Sequence, residues 1–155
     1  MSTRQINEII LHCSATPNGR PHTVEDIDRW HKERGFNRSV PVNNLGLKHI
    51  GYHFVIYIDG SVHAGRDISE AGAHARGHNV HSIGICMIGT DKFTPAQWSA
   101  LSVLTADLLF KYPGIPIVGH RALPDVHKDC PGFDVAAWVA GVTACLAAHV
   151  LEVSG

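Results

Sequence analysis

Two histidines and one cysteine stand where apolar segments of the chain end. His12 closes the run IILH, His120 closes the run IPIVGH, and Cys130 follows in the loop HKDCPGFD. Strand ends and the loops leaving them commonly bind ligands in α/β sheets. If the two strands are parallel neighbours, the imidazoles meet, and the loop can bring the cysteine to the same point. Zinc takes three protein ligands in catalytic sites and keeps a fourth position for water, so these residues are candidate zinc ligands.

The pattern alone leaves an alternative open, because a histidine at a strand end is often a hydrogen-bonded structural residue. The local zinc signatures H-E-x-x-H and C-x-x-C are absent from the sequence. Strand geometry separates the adjacent pair His12 and Cys13, since successive side chains point to opposite faces. Only one of them can reach the site. We assign His12 to it, as the partner of His120, and expect Cys13 to pack into the core.

Composition narrows the class of protein. A chain of 155 residues with 45% apolar and 17% charged residues is typical of one globular domain, residues 1–155. The formal charge of −1 predicts no general attraction to nucleic acid or anionic membrane. The four cysteines lack the dense spacing of a disulfide framework, and the 12 scattered histidines hint weakly at metal binding.

The N-terminal segment has only a four-residue apolar run, which is too short for the core of a signal peptide. No segment approaches the roughly 20 apolar residues of a membrane span. We therefore expect cytoplasmic synthesis without a signal peptide, and no membrane partner.

The elements that must position these residues alternate between strands and helices. Thr23 and Thr94 are expected helix caps, and Asp59-Gly60 is the expected turn of a hairpin. Residues 36–49 and the stretch EAGAHARGHNVHS are predicted loops, and Asp134 is predicted to start a final helix. The expected fold class is α/β, with a mixed central sheet flanked by helices. The predicted strands are INEIILHCS, IGYHFVIYI, the return strand after Asp59-Gly60, IGICMIG and IPIVGH; the helices are HTVEDIDRWHKERGF, TPAQWSALSVLTADLLFKY and DVAAWVAGVTACLAAHVL.

Several long motifs together resemble the zinc-dependent N-acetylmuramoyl-L-alanine amidases. The likeness extends to the phage lysozymes that are amidases and to the peptidoglycan recognition proteins. It runs in order from about Ile9 to Trp138 and implies the amidase fold, with zinc ligands at His12, His120 and Cys130. The motifs are ILHCSAT, IDRWHKERGF, GYHFVIYIDGSVHAGRD, GAHARGHNVHSIGICMIG, FTPAQWSAL and HKDCPGFD.

The resemblance also implies roles for three further residues. Tyr52 matches an active-site tyrosine that orients water or donates to the developing oxyanion, and Lys128 matches a lysine that stabilises charge on the tetrahedral intermediate. His74 matches a position lining the substrate groove. Read by itself, Tyr52 would be half-buried packing and Lys128 a solvated loop charge. His53 points away from Tyr52's face, which favours a structural role or support of a ligand.

The implied function is hydrolysis of the amide between N-acetylmuramic acid and L-alanine in peptidoglycan, by a monomeric phage or prophage endolysin that acts on the wall after release. Its partner is a muropeptide. A cytoplasmic amidase that recycles wall fragments is one alternative, and a recognition module that binds peptidoglycan without cutting it is another. A third, regulation of a polymerase, is disfavoured by the short N-terminus. The longer stretch NRSVPVNNLGLKH is a departure expected to border the groove.

Overall fold

Five strands and three α-helices make up the fold in a computed structural model that describes residues 4–124, 126, 130–141 and 146–152. Short 3-10 helices follow at His120–Ala122 and Ala147–His149. The strands are β1 (Glu8–Cys13), β2 (Phe54–Ile56), β3 (Val62–Ala64), β4 (Ser82–Met87) and β5 (Ile117–Gly119), and the helices are α1 (Val24–Glu33), α2 (Pro95–Lys111) and α3 (Val135–Ala140).

The strands form one mixed sheet in the order β3-β2-β4-β1-β5. β1 is parallel to both β4 and β5, and β2 is parallel to β4. β3 returns antiparallel to β2 after the turn at Asp59-Gly60, where Gly60 has a φ of 84° that a side chain would disfavour. The predicted mixed sheet and its hairpin are confirmed.

The predicted caps start both long helices. Thr23 accepts a hydrogen bond from the Asp26 backbone N–H, and the Asp26 carboxylate accepts from the Thr23 N–H. Thr94 and Gln97 form the same reciprocal pair at the start of α2. Each pair satisfies backbone donors that have no partner within the helix. No helix within the described part of the chain is long and apolar enough to cross a membrane.

The sheet separates two apolar layers. Alternate residues of β1, Ile9, Leu11 and Cys13, face α2 and α3, where they pack with Trp98 and Trp138. The opposite face carries α1, whose Val24 and Ile27 pack with Val55 and Cys86. Cys13 is buried in the first layer, as strand alternation predicted. No disulfide joins Cys13, Cys86 and Cys130, the described cysteines.

The C-terminal segment departs from the prediction of one long helix. Asp134 caps α3 as expected by accepting from the Ala137 N–H at 3.1 Å. The helix nevertheless ends at Ala140, with Gly141 as its C-cap. After the second 3-10 helix, Val150 forms a parallel bridge with Phe93. The prediction of a continuous helix was therefore wrong for residues 146–151, because pairing with the main body overrides the helical pattern there.

His53 lies fully buried beneath the hairpin. Its Nδ1 accepts from the Gly84 N–H at 3.0 Å, and its Nε2 lies 2.8 Å from the Glu70 carbonyl and 2.9 Å from the Arg4 guanidinium. Burial lowers the pKa of His53 to about 4. The neutral imidazole is therefore part of the folded structure.

This burial predicts a loss of stability in mild acid. An unfolded histidine takes up a proton near pH 6.5 and folded His53 only near pH 4, so the unfolded chain binds protons first as the pH falls. The free energy of unfolding should fall by roughly 3 kcal/mol over that window on account of this residue. Urea titrations at several pH values should show a weaker pH dependence for His53→Gln. The exposed control His81→Gln should retain the wild-type dependence, and equal slopes in His53→Gln and wild type would contradict the assignment.

Candidate metal centre

The two histidines at the strand ends lie side by side. Leu11 of β1 is paired with Gly119 of β5, so the next residues, His12 and His120, leave the same edge of the sheet. Their ring centroids are 4.6 Å apart. His12 is 2% exposed, and His120 is half-buried at the start of its 3-10 helix. The predicted meeting of the two imidazoles is present in the structure.

Cys130 reaches the same point from the loop after His120. Its backbone carbonyl accepts from the Arg121 N–H at 2.7 Å, which holds Cys130 beside the 3-10 helix. Its Sγ lies 3.9 Å from Nδ1 of His12. The Cys13 backbone N–H donates to this sulfur at 3.1 Å. This hydrogen bond favours the thiolate, which is the form that binds a metal, whereas the neighbouring Cys13 thiol and burial raise the pKa of Cys130 overall. A bound metal therefore has to displace the proton of this thiol.

The three side chains fit a zinc ion. One ligand atom of each of His12, His120 and Cys130 lies within 4.8 Å of the other two. Tetrahedral zinc with bonds of about 2.0–2.1 Å to nitrogen and 2.3 Å to sulfur places its ligands roughly 3.3–3.8 Å apart. A small inward movement of the side chains therefore produces a zinc site from this arrangement.

His74 connects the candidate ligand His12 to the sheet. Its Nδ1 lies 2.8 Å from Nε2 of His12, and its Nε2 lies 3.1 Å from the Ser82 hydroxyl. Burial, reinforced by the neighbouring His12 and His53, lowers the pKa of His74 well below its ordinary value. The sequence had suggested a substrate contact. His74 does line the cleft, but both its ring nitrogens already have protein partners, and the substrate contact stays a prediction.

Tyr52 stands against the other side of the His12 ring, with centroids 5.1 Å apart. Tyr52 lines the cleft. Burial raises the pKa of Tyr52 well above its ordinary value. The hydroxyl therefore stays protonated and available as a donor near neutral pH. The structure places Tyr52 at the site, and its catalytic role remains a prediction.

His31 is a cleft residue that sequence reasoning did not single out. Its Nδ1 accepts from the Gly51 N–H at 2.8 Å, and its ring lies 5.2 Å from that of Tyr52. Burial lowers its pKa to about 4. The signal was available in α1, because His31 continues the buried stripe of Val24 and Ile27 at helical spacing. A polar residue on that stripe has to find a partner in the interior.

An open cleft of about 1010 Å³ surrounds the candidate metal ligands. That volume is at the upper end for sites that hold small molecules. Arg34 and Arg76 line it, and no acidic residue is present among its described lining residues. Of the loop 36–49, only Phe36 lines this cleft, while Asn44, Gly46 and Leu47 border a separate shallow groove.

The buried Arg38 explains why most of that loop stands apart from the cleft. Its guanidinium makes a two-point ion pair with Glu70, at 3.0 and 2.6 Å. It also donates to the backbone carbonyls of Asn43, Asn44 and Leu47. These contacts hold the loop against the 67–70 turn. The remaining predicted site residue, Lys128, lies outside the described residues.

Comparisons with known proteins agree with this geometry. Residues 2–133 match the family described as N-acetylmuramoyl-L-alanine amidase. The endolysin of Escherichia phage T7 is 41% identical over 138 residues, which cover 84% of this chain and 83% of the relative.

Solved structures give the same result. The N-acetylmuramoyl-L-alanine amidase LysC from Clostridium intestinale superposes with a TM-score of 0.73 at 28% identity, covering 92% of this chain and 89% of that one. A mutant of Drosophila PGRP-LB in complex with tracheal cytotoxin has a TM-score of 0.70 at 26% identity, covering 96% and 85%. The expected fold is therefore confirmed.

The donor set predicts zinc binding that depends on Cys130. Cys130→Ser should weaken zinc affinity by at least tenfold, because an alcohol is a far poorer ligand than a thiolate. Competition with a chromophoric chelator measures the affinity. The control Cys86→Ala removes a buried thiol outside the donor set and should bind zinc like the wild type. Equal affinity of Cys130→Ser and the wild type would rule out the sulfur as a ligand.

Proposed function

We propose that this chain, which belongs to the N-acetylmuramoyl-L-alanine amidase family, is a zinc-dependent endolysin that cuts the stem peptide from the glycan of bacterial peptidoglycan. The bond cleaved is the amide between the lactyl group of N-acetylmuramic acid and L-alanine. Water adds to the carbonyl carbon, the carbon–nitrogen bond breaks, and the nitrogen takes up a proton. The products are a lactyl carboxylate and a peptide with a free amino terminus.

The observation that carries the proposal is the convergence of His12, His120 and Cys130 at the floor of an open cleft. Zinc held by these side chains would polarise the scissile carbonyl and make water a better nucleophile near neutral pH. A recognition module that only binds peptidoglycan has no need of these three donors in one place. Their presence favours catalysis.

The neighbouring side chains supply donors and orientation. The Tyr52 phenol, kept protonated by burial, can donate a hydrogen bond to the carbonyl oxygen as negative charge develops on it. One positioned donor of this kind is typically worth about 3–4 kcal/mol of barrier. His31 stays neutral near pH 7, with its Nε2 carrying the proton. It packs on Tyr52 and limits the movement of the phenol ring.

The charge of the cleft supports an anionic substrate. Arg34 and Arg76 line it without any described acidic neighbour in the lining, and stem peptides carry free carboxylates. The bound tracheal cytotoxin of the PGRP-LB mutant is consistent with a muropeptide ligand for this fold. Similarity to phage endolysins favours action on the cell wall over the recycling of wall fragments.

Release of amino termini from purified peptidoglycan tests the proposed activity. The zinc-loaded protein should release free L-alanine amino groups without reducing sugar ends, and a chelator should abolish the release until zinc is restored. Binding to peptidoglycan with no release at any zinc concentration would instead support the recognition module. Cleavage of soluble muropeptides but not of intact wall would support the recycling enzyme.

Lys128 gives a second prediction, carried by the family resemblance. Lys128→Ala should keep zinc affinity and lower kcat by about a hundredfold or more, because it removes one charge donor to the tetrahedral intermediate. The exposed Lys92→Ala is the matched control and should retain full turnover. Metal content and turnover are measured on the same samples. Normal turnover by Lys128→Ala would remove this lysine from the mechanism.

A further inference from the structure

We infer that His74 is a positioning residue that fixes the tautomer of His12, so that the lone pair on Nδ1 of His12 faces the metal. The inference rests on the zinc site of the proposed function and assigns His74 a task other than substrate contact. It follows from three features on one face of the sheet: a chain of hydrogen bonds, a slot made by two glycines, and a loop held by an asparagine.

The chain of hydrogen bonds has only one arrangement compatible with metal binding. Nδ1 of His12 faces the Cys130 sulfur, so this nitrogen must be unprotonated to act as a ligand. Nε2 of neutral His12 then carries the proton and donates to Nδ1 of His74, 2.8 Å away. His74 in turn carries its proton on Nε2 and donates to the Ser82 hydroxyl at 3.1 Å.

The imidazole of His74 occupies space left by two glycines. Ser82, Gly84 and Cys86 alternate along β4 and share one face of the sheet. A Cβ on Gly84 would lie 2.6 Å from Cγ of His74, and a Cβ on Gly72 would lie 2.5 Å from its Cδ2. The ring therefore lies directly over the backbone of β4, where a side chain would normally project. This close approach accounts for a glycine in the middle of a buried strand.

Hydrogen bonds from its backbone N–H groups hold the loop that carries His74. The Asn79 side-chain oxygen accepts from the N–H groups of His74 and Ala75, at 2.8 and 2.9 Å. The adjacent Ala73 N–H donates to the Gly51 carbonyl at 3.0 Å. Ring and backbone are thus both held, as a support for a metal ligand requires. Such supporting hydrogen bonds typically change metal affinity by about 10- to 100-fold.

Two substitutions at the same position test the inference. His74→Leu fills the slot with an apolar side chain and removes the acceptor for His12 Nε2, so zinc affinity should fall by about 10- to 100-fold. His74→Asn places an amide oxygen close to where Nδ1 was and should recover most of the affinity, to within a few-fold of the wild type. Affinity is measured by chelator competition, with no substrate present.

The slot gives an independent variant with a matched control. Gly84→Ala should displace the His74 ring and weaken zinc binding, whereas Gly46→Ala should have no effect, because a Cβ at Gly46 would meet no atom within 4 Å. Unfolding of the metal-free proteins is followed in parallel. A loss of zinc affinity without a matching loss of metal-free stability supports positioning, and parallel losses in both quantities would mean a merely structural role.

Each outcome separates this inference from the proposed function. If the wild type binds no zinc, the proposed metal site itself fails. If the wild type binds zinc and His74→Leu binds it equally well, only the positioning role is overturned. A raised KM in His74→Leu with unchanged zinc affinity would instead establish the substrate contact. Equal losses in His74→Leu and His74→Asn would also contradict the inference, because the acceptor would then be irrelevant.

Discussion

Leu11 and Gly119 are paired in neighbouring parallel strands, and the histidine that follows each of them leaves the sheet at the same edge. The candidate centre depends on this pairing more than on any single contact, because His12 and His120 are far apart in sequence and no local motif joins them. Cys130 then needs only a short loop, anchored through Arg121, to complete the set. The sheet has its own apolar core on both faces, so the framework does not require the metal to form.

The sheet face covered by α1, which carries the candidate metal centre, also carries several buried histidines. Imidazoles of His12, His31, His53 and His74 lie buried or half-buried there. Burial lowers the pKa values of His31, His53 and His74, so these three stay neutral near pH 7. Neutral imidazoles cost far less to bury than charged ones and can both donate and accept. Because these imidazoles are buried in their neutral form, acid should destabilise the fold. The buried ring nitrogens of His53 and His74 each have a protein hydrogen-bond partner.

The sequence predicted much of the framework, and for physical reasons. Thr23 and Thr94 predict helix starts because their side chains satisfy local backbone donors. Strand alternation alone places the side chains of His12 and Cys13 on opposite faces of the sheet. The final helix was overextended, since the bridge of Val150 to Phe93 is a contact between distant segments that no local pattern reports. The support of His12 by His74 was missed for the same reason. Only the three-dimensional structure places that ring over Gly84 and beside Ser82.

The resemblance to amidases implies the ligands His12, His120 and Cys130, and the structure brings these three side chains together. Which ion they bind is a separate question. X-ray absorption at the zinc edge of the loaded protein addresses it most directly. Coordination by His12, His120 and Cys130 predicts one sulfur at about 2.3 Å, two imidazole nitrogens at about 2.0–2.1 Å and one further light atom. A zinc shell with no sulfur, or with no imidazole scattering, would contradict it.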